Sequence, residues 1–158
     1  MDTKVLSRTY LFEGLNVKEL ELLLTAAGEK ICGKGDVVFR EGDSGNQVYM
    51  VSQGTIEIWK KESKDLKGTC IGKVRDGELF GEMAVFDRQP RSASAIAAGE
   101  DKTKVLVWGE KDLMKIIQQY PALGTKIMIN VIRKLSGHLR NANNAIHSLR
   151  RTFLPVSG

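Results

Sequence analysis

The spacing of apolar residues changes twice along the chain. Up to about Ala27 it follows a helix: Val17, Leu20, Leu23 and Leu24 fall on one face of VKELELLLTAA. Asn16 stands just before that stretch and Glu19 three residues on, the pattern of a capping box, while Gly28 reads as the stop. The preceding YLFEGLN is apolar but holds Gly14, and reads as a turn or short docking element. From Glu29 to Gly109 the rhythm shortens. DVVFRE, NQVYMVSQ, TIEIWKKE, TCIGKV, SASAIAAG and TKVLVWG read as strands, many of them set apart by glycines. TIEIWKK alternates apolar and polar, as a half-buried strand does. Short strands at this spacing point to a sandwich, roll or barrel rather than βαβ units. Beyond Gly109 the helical period returns. EKDLMKIIQQY is amphipathic, and Pro121 ends it or opens the next helix. Met128, Ile132, Leu135, Leu139, Ala142, Ile146 and Leu149 then alternate steps of four and three, a heptad seam. The seam is expected to pack on the β core or on a second copy of itself. Gly137 within it allows a bend, and the closing TFLPVSG is expected to fray.

The chain has 158 residues, 42% hydrophobic and 27% charged, which suffices for one domain with a real core. The expected layout is a single domain over 1–158: a helical part at 1–28, a β region at 29–109, C-terminal helices at 110–151 and a tail at 152–158. No apolar run reaches the ~18–20 residues of a membrane helix, and the first residues lack the apolar centre of a signal peptide. Two cysteines, Cys32 and Cys70, are too few for a disulfide framework. A cytoplasmic location, away from membranes, is therefore expected. The net charge of +5 is uneven: Asp112 is the last acidic residue, and seven basic side chains follow it. An anionic partner or a solvated helix face accounts for this, the second being the simpler reading.

The informative chemistry lies in FGEMAVFDRQPRSAS, from Phe80 to Ser94. Gly81 permits a tight backbone where a strand ends. Glu82, Met83, Ala84, Val85 and Phe86 can form one short helical turn whose first amides favour an anion. Arg91, after Pro90, can return a guanidinium to the same spot, a group that matches two phosphate oxygens at once. Ser92 adds a hydroxyl. A carboxylate at Glu82 would repel an anion unless the ligand also presents a hydroxyl donor. The combination points to a sugar phosphate; a surface Glu82–Arg91 ion pair is the alternative.

This segment resembles the phosphate-binding cassette of cyclic-nucleotide-binding domains, the family of catabolite activator proteins, cAMP-dependent kinase regulatory subunits and cyclic-nucleotide-gated channels. GDVVFREGDSGNQVYMVSQG, Gly35 to Gly54, resembles the family's glycine-punctuated hairpins, and DGELFGE its approach to the cassette. The similarity runs from about Leu15 to Leu149. It implies a mainly β fold: an eight-stranded β-roll or jelly roll with an N-terminal helix, a short cassette helix within 80–94, and long C-terminal helices. It implies that the amides of Gly81 and Glu82 meet a cyclic phosphate, that the Glu82 carboxylate accepts from the ribose 2′-hydroxyl, and that Arg91 neutralises the phosphate with help from Ser92. The expected ligand-binding set is Phe80, Gly81, Glu82, Met83, Ala84, Arg91, Ser92 and Ala93. Asn143 and Asn144, beside Ala142 on the last helix, are added as base contacts. Ser92 leans the choice toward cAMP over cGMP.

Other chemistry finds little support. His138 and His147 are nine apart and read as exposed helix residues rather than metal ligands. There is no P-loop, dinucleotide fingerprint or Ser/Cys–His–acid set, so an enzyme is not expected, nor any cofactor beyond the ligand. Trp59 and Trp108 read as core strand residues. The expected role is a regulatory module that signals through its C-terminal helix to an unidentified effector, with a homodimer through that helix as a further possibility. The alternatives are a β-roll scaffold that binds no nucleotide, or a shortened transcription regulator. The chain ends about seven residues past the last helix, so no helix-turn-helix, and no DNA partner, is expected.

Overall fold

In the computed structural model, which describes residues 3–62 and 65–153, two four-stranded antiparallel sheets face each other and helices cover one of them. The strands are β1 (Gly28–Cys32), β2 (Val37–Phe39), β3 (Gln47–Gln53), β4 (Thr55–Glu62), β5 (Asp65–Arg75), β6 (Leu79–Phe80), β7 (Ser94–Ala97) and β8 (Thr103–Gly109). The first sheet runs β1-β8-β3-β6 and the second β2-β7-β4-β5. The helices are α1 (Thr3–Leu6), α2 (Val17–Thr25), α3 (Met83–Asp87), α4 (Glu110–Gln119) and α5 (Pro121–Phe153), with a 3-10 turn at Tyr10–Phe12. This is the eight-stranded roll with flanking helices expected from the sequence.

Strands β3 and β8 read as unbroken apolar runs because both faces of the first sheet are covered. Val48, Met50, Leu106 and Trp108 point into a cluster with Leu11, Phe12, Leu20, Leu23, Leu123 and Ile127 of the helical layer. The alternate residues Tyr49, Val51 and Val105 point between the sheets, toward Ile56, Phe80, Ala95 and Ala97. Trp108 is fully buried; its Nε1 donates to the Leu23 carbonyl at 2.8 Å and its ring meets Phe12 edge-on at 5.6 Å. On β4, Ile56 and Ile58 turn inward, whereas Glu57 bonds Lys73 and Trp59 across the outer face. Trp59 is thus half-buried there and not a core residue as the sequence reading had it.

The capping box forms: the Glu19 amide donates to Asn16 Oδ1 at 3.0 Å and the Asn16 amide to Glu19 Oε2 at 2.7 Å. Glu19 also receives Lys126 of α5 at 2.8 Å, which ties α2 to α5. Two details of α2 differ from expectation. Val17 is exposed, because it occupies the first turn outside the packed face. The helix ends at Thr25, capped by Ala26, and Gly28 opens β1 instead of stopping α2. Helix α5 starts at Pro121 and continues through Phe153, two residues into the segment expected to fray; residues 154–158 lie outside the described residues. Its first half packs on the core through Leu123, Ile127 and Met128. The rest of the seam is exposed, Ile132, Leu135, Leu139, Ile146 and Leu149 by 52–64% and Ala142 with them. Among the described residues no helix is long and apolar enough to cross a membrane. Cys32 is buried, Cys70 partly so, and both are free thiols.

Candidate functional site

The turn from β6 into α3 is held open by Gly81, whose φ of +73° excludes most other residues. A Cβ there would come within 2.7 Å of Arg91 Nη1. Arg91 is the centre of the site. It is only 5% exposed, yet carries a permanent charge. Nη1 donates to the Gly81 carbonyl at 2.6 Å and Nη2 to the Gln47 carbonyl at 2.8 Å. The guanidinium lies 4.2 Å over the Phe39 ring and 5.6 Å from that of Tyr49. Phe80 stacks on both Phe39 and Tyr49, whose rings are tilted to each other, with centroids 5.1–5.9 Å apart. Arg91 Nε is buried with no partner. It is packed against Gly45, and leaving such a donor unmet costs about 1–3 kcal/mol. Burial lowers the guanidinium pKa; Tyr49, Asp43 and Glu82 nearby act against that.

The loop before β3 closes over this arrangement. The Gly42 amide donates to the Arg91 carbonyl and the Arg91 amide to the Asp43 carbonyl. Gly45 packs so tightly that a Cβ would stand 2.4 Å from Ala84 Cβ and 2.8 Å from Arg91 Cζ. At the rim, Lys60 donates to the Ser92 carbonyl at 2.6 Å and pairs with Glu41 at 2.8 Å.

These residues enclose a cavity of about 200 Å³ between the cassette and the second sheet. Phe80, Gly81, Glu82, Met83, Ala84, Arg91, Ser92 and Ala93 all line it, so the structure brings together the cassette residues singled out in the sequence. Phe39, Ile58, Val74 and Leu79 complete the wall. The strand pattern places Ile58 inward on β4, which was a readable signal; nothing local marks Phe39 or the carbonyl of Gln47. Asn143 and Asn144 are exposed on α5 and line neither this cavity nor its neighbour. They sit more than a turn beyond His138, which lines that neighbouring cavity.

Behind Glu82 lies a second cavity, of about 180 Å³, lined by Tyr10 of the 3-10 turn, by α3, and by Lys134, Leu135 and His138 of α5. Glu82 lines both cavities. Burial pushes its carboxyl above the usual range; its own amide, the Tyr10 hydroxyl, His138 and Lys134 pull it partly back. A wider open groove of about 660 Å³ between α2 and α4 is lined by side chains of both charges and stands apart from these residues. Among the described residues no three His, Cys, Asp or Glu gather to hold a metal ion.

Comparison with known proteins matches this geometry to a family. The sequence profile of the cyclic nucleotide-binding domain covers residues 29–120, and the chain belongs to that family. It is 30% identical over 125 residues to a cyclic AMP receptor protein of Thermus thermophilus, covering 79% of this chain and 56% of that one. It is 30% identical over 106 residues to a cAMP-dependent protein kinase regulatory subunit of Debaryomyces hansenii, covering 67% of this chain and 22% of the relative. The chain therefore spans about half the length of the first relative and less of the second. Among solved structures, the Thermus thermophilus catabolite activator protein superposes with a TM-score of 0.78 at 28% identity, over 89% of this chain and 62% of that one. The N-terminal domain of a transcriptional regulator from Streptomyces coelicolor gives 0.76 at 30% identity, over 89% and 96%.

Proposed function

We propose that this domain binds a 3′,5′-cyclic nucleotide, cAMP ahead of cGMP, and that the bound state is passed on through α5. One observation carries the reading: a buried guanidinium, held on two main-chain carbonyls, lines the same cavity as the turn at Gly81 and Glu82. A phosphodiester is the anion that fits. Ile58, Val74 and Leu79 offer an apolar wall for a purine. Glu82 is the acceptor for the ribose 2′-hydroxyl, the one free ribose donor in such a ligand. The preference for cAMP is supported by Ser92 and by relatives described as a cyclic AMP receptor and cAMP-dependent kinase subunits.

Signalling requires that the ligand favour one arrangement of α5 over another. The exposed seam on α5 supports a second copy of this chain as a partner in that step. An effector protein would then read the helix.

The test is titration calorimetry of refolded, nucleotide-free protein with cAMP, cGMP and 2′-deoxy-cAMP. Micromolar or tighter binding of cAMP, with weaker binding of the other two, is expected. Folded protein that gives no heat with either cyclic nucleotide overturns the reading. Equal binding of the deoxy analogue removes Glu82 from it.

A further inference from the structure

Glu82 has one carboxylate and two cavities to serve. On the side away from Arg91, the Tyr10 hydroxyl donates to Glu82 Oε1 at 3.5 Å, across 72 positions of sequence. Tyr10 is itself held to α5. Lys134 Nζ lies 4.8 Å over its ring, and His138 lines the same cavity one turn further on. The turn that carries Tyr10 is stitched to the same helix by Asn130, whose buried amide donates to the carbonyls of Leu11 at 3.1 Å and Glu13 at 2.9 Å. The 3-10 turn and α5 are therefore one unit, and Glu82–Tyr10 is a polar link from the cassette to it beside the apolar packing of Val85.

We propose that Tyr10 is a positioning residue that competes with the nucleotide's 2′-hydroxyl for Glu82, so that filling the site breaks the polar link between the cassette and the unit of 3-10 turn and α5. This rests on reading the Arg91 cavity as a cyclic-nucleotide site. A short side chain between two cavities cannot face both, so a carboxylate turned to a ribose is turned away from Tyr10. A ligand without a 2′-hydroxyl has nothing to exchange for the tyrosine and leaves the contact in place. Occupancy and loss of the Tyr10 contact become separable steps, linked by one hydroxyl group on the sugar.

The test uses the full chain and Tyr10→Phe, which keeps the ring against Lys134 and removes only the hydroxyl. Cyclic AMP is expected to bind the variant more tightly by about two- to tenfold, the span of one hydrogen bond, whereas 2′-deoxy-cAMP binds both proteins alike. Cyclic AMP binding that is unchanged or weakened, or a gain equal for both ligands, overturns the competition. Wild-type protein that binds neither ligand overturns the nucleotide reading and this one with it. A second measurement leaves the hydroxyl in place: 3-fluorotyrosine inserted at position 10 alone. Its fluorine resonance is expected to move with cAMP and to stay with 2′-deoxy-cAMP; an equal response to both overturns the exchange.

Discussion

Arg91 is placed before any ligand arrives, because two main-chain carbonyls and an aromatic face leave its guanidinium little freedom. Its support includes a residue with no side chain. Gly45→Ala is expected to drive Arg91 off its carbonyls and lower cAMP affinity by at least tenfold, approaching the loss from Arg91→Ala; titration calorimetry reads both, and a Gly45→Ala protein with wild-type affinity would show that the cassette yields freely. Glu82 brings a pH dependence. A carboxyl raised by burial binds its proton more tightly folded than unfolded, so its stabilising contribution grows as pH falls through that raised range and is absent above it. Its affinity effect runs the other way, since the protonated acid is a poorer acceptor for the ribose. Cyclic AMP binding should therefore weaken on mild acidification, and 2′-deoxy-cAMP binding should not; parallel titrations at neutral and mildly acidic pH compare the two slopes.

Among the elements, α2 was legible to its first residue because Asn16 and Glu19 cap each other reciprocally. Asn16→Ala is expected to cost about 1 kcal/mol, a fall in Tm of about 2–4 °C for a chain of this size, measured by calorimetric melting. Glu19 adds an acid-side term. Lys126 and the Asn16 amide hold its carboxyl below the usual range, so the stability it gives is present above the ordinary carboxylate pKa and lost as pH falls through the folded value. Strand β1 was not legible. It is an edge strand paired only with β8, and within GEKIC just Cys32 is buried, so it carries no apolar alternation to read. Helix α3 was legible from the cassette, whereas Tyr10 was not, since its partner lies 72 positions away and no local period links them.

At the scale of the molecule, the core divides into a layer between the sheets and a layer beneath the helices, with β3 and β8 serving both. That division explains why their runs of VYMV and VLVW looked stronger than any other strand. The heptad seam was read correctly as a pattern, but its partner could not be, because a 3.5-residue period describes a face and not what lies against it. The first seam residue, Met128, goes to the core and most of the later ones face out. A second copy is expected to cover them. Light scattering at tens of micromolar protein should return twice the chain mass, and Leu135→Glu with Leu139→Glu should return it to one; a wild-type monomer mass rejects the pairing.

Trp108 stands where α2, the 3-10 turn and the first sheet meet, while Trp59 lies on the outer face of the second sheet. These are the only two indoles in the chain, and they sit on opposite sides of the roll. Replacing Trp59 with Phe therefore leaves a single indole buried at the seam between helices and barrel. Its emission is an internal gauge: blue while the helical layer is seated, shifting red when that layer lifts, and indifferent to events confined to the far sheet.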